Sequence, residues 1–343
     1  MNSLWHVRPR KAVLALLLAL SLLSACGRGR GRVLEVMYVS APQASLRDRV
    51  ATVYNKTATV KNGDRLDVID REKRFVKVRT ADGTEGWIEQ RYVTPQKTYD
   101  TFLKLTKDHA ADPLQAAATT RADTNLHIEP GRDSEHLYLL PAGSKVSVLA
   151  RGTAEKSGVV VAPTSGAKRN TPAGAVLEDW WLIRDAQGRA GWVLARMVDL
   201  DVPLEVAQYA EGERFVGFFV LNEVQDGDSK VAQYLVLLTD PKDGQPFDYD
   251  KIHVFTWNVK RHRYETAYRE RNLNGVLPVT VGHEDFGKEG NLPVFILRVQ
   301  DDSGNVAQRK YKLNTPMVHR VLAPGEAPPK PARKPTAKKT VRQ

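Results

Sequence analysis

The chain has 343 residues and a formal net charge of +11, but the positive excess lies at its two ends. Residues 1–32 hold six basic side chains and no acid, residues 321–343 hold six against one acid, and residues 33–320 hold 39 of each sign. The neutral middle excludes the broad positive field of a nucleic-acid-binding protein. The length predicts two or three domains, and the single cysteine, Cys26, excludes disulfide frameworks and thiolate zinc sites.

Residues 1–25 have the parts of a secretory signal. Basic residues precede an apolar run over 12–23, which is too short to span a bilayer. The following segment, Leu23-Ser24-Ala25-Cys26, resembles the lipobox of bacterial lipoprotein precursors, which implies acylation (palmitate) of Cys26 and contact with the membrane through this N-terminal lipid. Since Gly27 is not aspartate, the outer membrane is favoured if the cell has two membranes. An ordinary signal peptide or an uncleaved anchor is the alternative. Residues 26–33 are predicted to be a flexible basic leader.

The chain contains one module twice. Residues 75–93 align without a gap on residues 180–198, with seven identities that include Gly86/Gly191 and Trp87/Trp192. Upstream, an offset of 80 pairs Leu46 with Leu126. The second copy carries 25 extra residues, and its Gly-, Ala- and Pro-rich segment 152–177 predicts a surface loop. Each copy reads as about five short strands, which suits a small closed barrel.

The two copies resemble the bacterial SH3 (SH3b) domains. The resemblance rests on Asn125–Gly131, on Leu140–Val146, and on the Gly-Trp-aliphatic endings at residues 86–88 and 191–193. It implies SH3-like barrels over 34–94 and 121–200, separated by a linker over 95–120 whose stretch 99–118 is helix-like. It also implies non-catalytic modules that bind peptidoglycan or proteins and often target a neighbouring enzyme to the cell wall.

Residues 201–320 form a third, β-rich domain. Seven apolar runs separated by turn signals predict an antiparallel β-sandwich or barrel, with aromatic residues such as Trp257 and Tyr264 stacked across a hairpin. The tail, 321–343, is rich in proline and lysine and is predicted to be disordered. The predicted fold class is therefore mainly β, with two small SH3-like barrels followed by this domain between disordered termini.

Candidate binding residues are two adjacent tryptophans. Trp180 and Trp181 are predicted to supply an aromatic ligand contact, because neighbours on a strand face opposite sides and one of them should be exposed. Trp87 and Trp192 are expected in the barrel cores. His253 is expected to be partly buried and satisfied by hydrogen bonds, and residues 283–285 (His-Glu-Asp) to lie in an exposed loop without binding metal. No cofactor, metal or catalytic residue is predicted.

These observations favour a lipid-anchored, non-catalytic protein of the cell envelope whose SH3b modules bind peptidoglycan or an envelope protein. The wall-lytic cysteine peptidases that accompany such domains need a thiol, and Cys26 is the chain's one cysteine. The chain is therefore not expected to be an enzyme. Two alternatives remain open: an envelope hydrolase with an unrecognised active site in the C-terminal domain, and a structural subunit of an envelope assembly. The predicted location is the periplasm-facing envelope.

Overall fold

The structure is a computed structural model that describes residues 32–50, 55–157 and 176–322. The chain divides into two compact units, Met1–Gln96 and Lys97–Gln343. Cys26, the predicted signal, all but two residues of the predicted leader and all but two residues of the predicted tail lie outside the described residues. Within the described part of the chain, no helix combines the length and apolar character needed to cross a membrane. The fold is mainly β, as predicted.

The first unit is a seven-stranded antiparallel barrel-like sheet. Its strands are β1 (Glu35–Val39), β2 (Gln43–Arg47), β3 (Lys56–Lys61), β4 (Arg65–Glu72), β5 (Phe75–Arg79), β6 (Glu85–Glu89) and β7 (Val93–Pro95). They are ordered β3-β2-β6-β5-β4-β1-β7. Alternate residues such as Leu66 and Val68 on β4, and Val76 and Val78 on β5, are buried and pack together in one core.

The second unit begins within helix α1 (Gln96–Asp108), at Lys97, and repeats this arrangement. Its first seven strands are β8 (Ala116–Thr120), β9 (Thr124–His127), β10 (His136–Leu140), β11 (Lys145–Glu155), β12 (Leu177–Asp185), β13 (Ala190–Leu194) and β14 (Val198–Leu200). Their order, β10-β9-β13-β12-β11-β8-β14, is that of the first sheet. The internal duplication seen in the sequence is therefore also a structural duplication.

The boundaries of the second copy differ from the sequence expectation at two places. Strand β8 lies inside the segment predicted to be linker, and α1 ends well before Ala118. Just beyond the helix, Arg184 donates to the carbonyl oxygens of His109 (2.7 Å) and Asp112 (2.9 Å), which have no partner within the helix. In addition, β11 and β12 stay paired out to Glu155 and Leu177, so the ends of the predicted surface loop are strand. Most of the remainder, residues 158–175, lies outside the described residues.

The rest of the second unit consists of a short helix and two four-stranded antiparallel sheets. The helix is α2 (Leu204–Ala207); the first sheet is β15 (Arg214–Asp226), β16 (Ser229–Thr239), β17 (Lys251–Asn258) and β18 (Arg263–Glu270); the second is β19 (Gly275–Asp285), β20 (Asn291–Gln300), β21 (Val306–Asn314) and β22 (Met317–Val321). All seven predicted runs form strands, and β22 is an eighth that the apolar pattern missed. Trp257 and Tyr264 pair across the β17–β18 hairpin with ring centroids 5.0 Å apart, as predicted.

A buried carboxylate joins the second barrel to these sheets. Asp179 of β12 is 1% exposed, and its Oδ1 accepts hydrogen bonds from Arg151 Nη2 (2.6 Å) and the backbone N–H of Gly244 (2.9 Å). Its Oδ2 accepts a bond from Arg214 Nη2 of β15 (2.7 Å). Because each of these bonds has a charged acceptor in a water-poor setting, they hold the loop after β16 firmly against the barrel.

Candidate functional site

Each barrel carries a cleft at the same place in its fold. The cleft of the first barrel has a volume of about 280 Å³ and that of the second about 320 Å³. The repeat aligns seven lining positions of one with seven of the other: Gln43/Asp123, Ala44/Thr124, Ser45/Asn125, Arg47/His127, Phe75/Trp180, Glu89/Leu194 and Tyr92/Met197. A concave surface that recurs in both copies is a property of the fold, and the substitutions between the copies set its chemistry.

The second cleft differs from the first by carrying two imidazoles. His127 and His136 line it with ring centroids 5.4 Å apart, and the His127 ring lies edge-on to Trp180 at 5.2 Å. Burial lowers the pKa of His127 below its usual 6.5, and the neighbouring His136 adds to that lowering. Burial also lowers the pKa of His136. Both rings are therefore neutral at neutral pH.

The tautomer of His127 follows from its backbone contact. Its Nδ1 lies 3.0 Å from the carbonyl oxygen of Ser134. A carbonyl oxygen only accepts hydrogen bonds, so Nδ1 carries the proton and Nε2 holds the lone pair. An imidazole that is neutral, oriented by a backbone group and placed in a cleft is suited to act as a general base.

The same cleft contains a cation whose charge is already balanced. Arg132 donates from Nε and Nη2 to the two carboxylate oxygens of Glu178, at 2.7 and 2.5 Å, in the bidentate geometry that favours arginine. This contact lowers the pKa of Glu178. The pair supplies guanidinium N–H groups at the cleft without a net charge.

The two predicted ligand-binding tryptophans are buried. Trp180 is 2% exposed and Trp181 is 4% exposed, so the expectation that one of them projects into solvent is wrong. Trp180 takes the position of Phe75, outside the core cluster of the first barrel, but the ring of His127 covers it. The Trp181 ring instead lines a cavity of about 360 Å³ together with Phe215. The two residues line two different cavities, and a ligand-binding role for them stays a prediction.

The expectation that Trp87 and Trp192 fill the barrel cores is also wrong. Both are only half-buried, whereas their neighbours on the same strands, Ile88 and Val193, are buried. The reason is strand alternation, since only one of two adjacent residues can face the interior. The Trp192 ring instead lies on the outer side against Gly152, where an added Cβ would come within 2.8 Å of it.

Histidines outside the cleft contribute no assembled site. His253 is 1% exposed and neither ring nitrogen has a hydrogen-bond partner among the described residues, so it is more buried than predicted and is not satisfied. The His283–Asp285 segment forms the end of strand β19 rather than a loop. No group of three or more His, Cys, Asp or Glu side chains within the described ranges is arranged to hold a metal ion.

Sequence reasoning did not single out His127, Arg132 or His136. The repeat offered one signal, because it places His127 opposite Arg47 and thus marks a position where the two copies differ in chemistry. The meeting of His136 with His127 depends on the register of β9 and β10, in which these two residues are direct cross-strand partners. That register is not visible in the sequence.

Comparison with protein families matches the bacterial SH3 domain to residues 43–94, within the first barrel. This finding supports the resemblance for the first copy, and for the second copy the family assignment stays a prediction. A search of the curated proteins finds no match to the chain.

Three solved structures are similar to this chain over much of its length. NlpC2 from Trichomonas vaginalis is 12% identical, with 84% of this chain and 95% of that chain covered and a TM-score of 0.17. An NlpC/P60 family protein from Bacillus cereus ATCC 10987 is 10% identical, with 67% and 93% covered and a TM-score of 0.23. NlpC1 from Trichomonas vaginalis is 11% identical, with 82% and 89% covered and a TM-score of 0.18.

These neighbours correct the functional expectation drawn from the sequence. They bear NlpC and NlpC/P60 names, so the expectation of a non-catalytic binding protein, and with it the expectation that the chain is not an enzyme, is not carried forward. With TM-scores between 0.17 and 0.23, no residue role is transferred from those structures to this chain.

Proposed function

We propose that this chain is a hydrolase of the bacterial cell envelope whose second barrel holds the substrate, a strand of peptidoglycan, in the cleft of His127. The observation that carries the proposal is the oriented, neutral imidazole of His127 in a cleft that recurs in both barrels. The proposed site lies in the second barrel and not in the C-terminal domain, where the His253 imidazole is closed to solvent.

In this proposal His127 is the general base. Its Nε2 takes a proton from an attacking water while Nδ1–H stays bonded to the Ser134 carbonyl, which stabilises the imidazolium that forms. The imidazolium then returns the proton to the leaving amine or hydroxyl. His136 keeps a second uncharged imidazole beside the substrate, and the Arg132 guanidinium supplies N–H donors to a developing oxyanion. Cys26 has no part in this chemistry.

The test combines binding and release on purified sacculi. The full chain is expected to pellet with sacculi and to release soluble muropeptide fragments. His127→Gln is expected to lower release by at least about 100-fold, the usual scale of a general base, with pelleting unchanged. The matched control is Arg47→Gln, the equivalent position in the first barrel. Wild-type protein that pellets with sacculi and releases nothing would contradict the hydrolase proposal.

The pH dependence gives a second readout. Because burial lowers the pKa of His127, the release rate should rise with pH through a pKa below 6.5 and be level by neutral pH. A rate that still rises steeply above pH 7 points to a different base.

We also propose that the second barrel is an SH3b domain like the first and that acylated Cys26 anchors the protein to the envelope membrane. The identical strand orders support the former and the lipobox-like sequence supports the latter. Cys26→Ser should move the protein from the detergent phase to the aqueous phase, since two or three acyl chains are needed for stable anchoring. A native N-terminus without acyl groups on Cys26 would rule the anchor out.

A further inference from the structure

A cavity of about 690 Å³ lies within the second unit beside the His127 cleft, and Leu194 belongs to both linings. Its walls come from the second barrel, at the end of β11, the start of β12 and the end of β13, and from the loop after β16, residues 241–244. The charged residues of its lining are Lys156, Glu178, Arg196, Lys242 and Asp243. The volume is within the range of small-molecule sites, about 300–1,000 Å³.

The two acids of the lining are each paired with an arginine, and one of these, Arg214, is shared with Asp179. Glu178 is bound by Arg132, as described above, and Asp243 accepts a hydrogen bond from Arg214 Nη1 at 2.8 Å. The three cations of the lining, unlike its two acids, have no direct partner of opposite charge among the described residues. Neither a hydrogen bond nor an ion pair joins the side chains of Lys156, Arg196 or Lys242 to any described residue. The cavity therefore presents three cations without a direct ionic partner among the described residues, although Lys156 and Arg196 are attracted to Glu178 over a longer distance.

The duplication shows how Arg196 came to be unpaired. Its equivalent in the first barrel is Arg91, whose Nε contacts Glu89 at 2.8 Å and whose Nη2 donates to the Tyr92 hydroxyl at 2.7 Å. In the second barrel these two partner positions are occupied by Leu194 and Met197, which offer no carboxylate and no hydroxyl. The second barrel therefore keeps the arginine but lacks the two side chains that bind it in the first barrel.

The wall that carries Lys242 is held in position by bonds described above. Asp179 accepts the backbone N–H of Gly244, and Arg214 donates to the carbonyl oxygen of Lys242 at 3.1 Å. Leu177 packs so closely against Gly244 that an added Cβ there would lie 2.7 Å from the Leu177 Cβ. The loop and the barrel therefore form a pre-arranged cavity, which reduces the ordering cost of binding.

We propose that this cavity binds an anionic ligand through a carboxylate or phosphate group, with Arg196 as the principal contact and Lys156 and Lys242 as flanking charges. Arginine presents a planar set of N–H donors that matches both groups. The site adjoins the hydrolytic cleft, but its three cations do not line that cleft, and binding of the anion does not depend on hydrolysis.

The experiment measures binding of two probes to the full chain by titration calorimetry: a pentaglutamate peptide as the carboxylate source and inorganic pyrophosphate as the phosphate source. Arg196→Gln is expected to weaken binding of the accepted probe by at least about tenfold, the scale of a lost charge-assisted contact. The matched control is Arg91→Gln at the equivalent position of the first barrel, which should leave the affinity unchanged. Because the Arg196 side chain is exposed, the Arg196→Gln variant should have the same melting temperature as the wild type.

Each outcome decides the proposal. Binding of pentaglutamate that is lost in Arg196→Gln assigns a carboxylate ligand, and the same result with pyrophosphate alone assigns a phosphate ligand. The proposal is overturned if neither probe binds, or if Arg91→Gln weakens binding as much as Arg196→Gln. A second variant, Lys156→Gln with Lys242→Gln, should weaken binding further and reduce its dependence on salt.

Discussion

The side chain of Gln115 pairs with both backbone polar atoms of Val279, which is 164 residues away in the sequence. Gln115 Oε1 accepts a hydrogen bond from the Val279 N–H at 2.7 Å, and Nε2 donates to the Val279 carbonyl oxygen at 3.2 Å. Gln115 is fully buried, and its own carbonyl oxygen accepts the N–H of Phe218 at 3.0 Å. A single residue before the second barrel therefore bonds to both sheets of the C-terminal region.

Gln115→Leu should destabilise the second unit. The substitution keeps the volume but leaves the N–H and C=O groups of Val279 buried without partners, at about 1–3 kcal/mol for each such group. Urea denaturation followed by tryptophan fluorescence measures the loss. Gln208→Leu, on the exposed segment after α2, is the control and should change the free energy of unfolding by less than about 0.5 kcal/mol. If the two substitutions lowered the free energy of unfolding equally, the hydrogen bonds between Gln115 and Val279 would not be stabilising the second unit.

Asp179→Asn should be among the most damaging single-atom changes in the chain. It removes the negative charge that faces Arg151 and Arg214, and Arg151 has a side chain that is only 4% exposed. Breaking a buried ion pair by removing one partner costs about 3–5 kcal/mol. The control is Asp199→Asn, whose pair with Arg121 is exposed on both sides, and about 1 kcal/mol or less is expected there. If Asp179→Asn lowered the free energy of unfolding by less than Asp199→Asn does, Asp179 would not be a structural link.

Trp180 and Trp192 of the second barrel should contribute unequally to the free energy of unfolding. Trp180→Ala removes a ring that is 2% exposed and is expected to cost about 3–5 kcal/mol. Trp192→Ala removes a half-buried ring from the outer face and should cost less, about 1–2 kcal/mol. Thermal melts of the two variants, recorded side by side, check the order. A larger loss for Trp192→Ala would place that ring in the core after all.

The second unit should lose stability as the pH falls below 6.5, in part through His253. Burial lowers the pKa of His253 in the folded state, with contributions from Arg269 and Arg271. Protons therefore bind preferentially to the unfolded chain once the pH falls through its ordinary value of 6.5, and the stability present above that pH is lost at about 1.4 kcal/mol per pH unit while the folded ring stays neutral.

The measurement is the free energy of unfolding at pH 7.5 and pH 5 for the wild type and for His253→Leu. The substitution should make the pH dependence shallower, although His127 and His136 still contribute in the same direction because their pKa values are also lowered. Gln208→Leu, which replaces an exposed side chain that does not titrate, is the control and should leave the slope unchanged. An identical slope in His253→Leu would mean that His253 is accessible to protons in the folded state.

The sequence alone determined the duplication and the β-class of the chain, because both depend on local patterns. The identical glycines of the repeat illustrate this. Gly86 lies where an added Cβ would approach the Leu46 Cβ to 2.7 Å, and Gly191 lies where it would approach the Leu126 Cβ to 2.9 Å. Only glycine permits this contact between strands, so the same residue recurs in both copies and the alignment identifies them.

The tertiary structure alone decided which aromatic rings are buried and where cavities form. Strand alternation correctly requires Trp180 and Trp181 to face opposite sides, but the exposure of the outward side depends on what packs there, and the His127 ring covers Trp180. The cation cluster at Arg196 likewise exists because Lys242 reaches it from a loop that Asp179 holds in place. Such contacts join residues far apart in the chain, and a local sequence pattern carries no information about them.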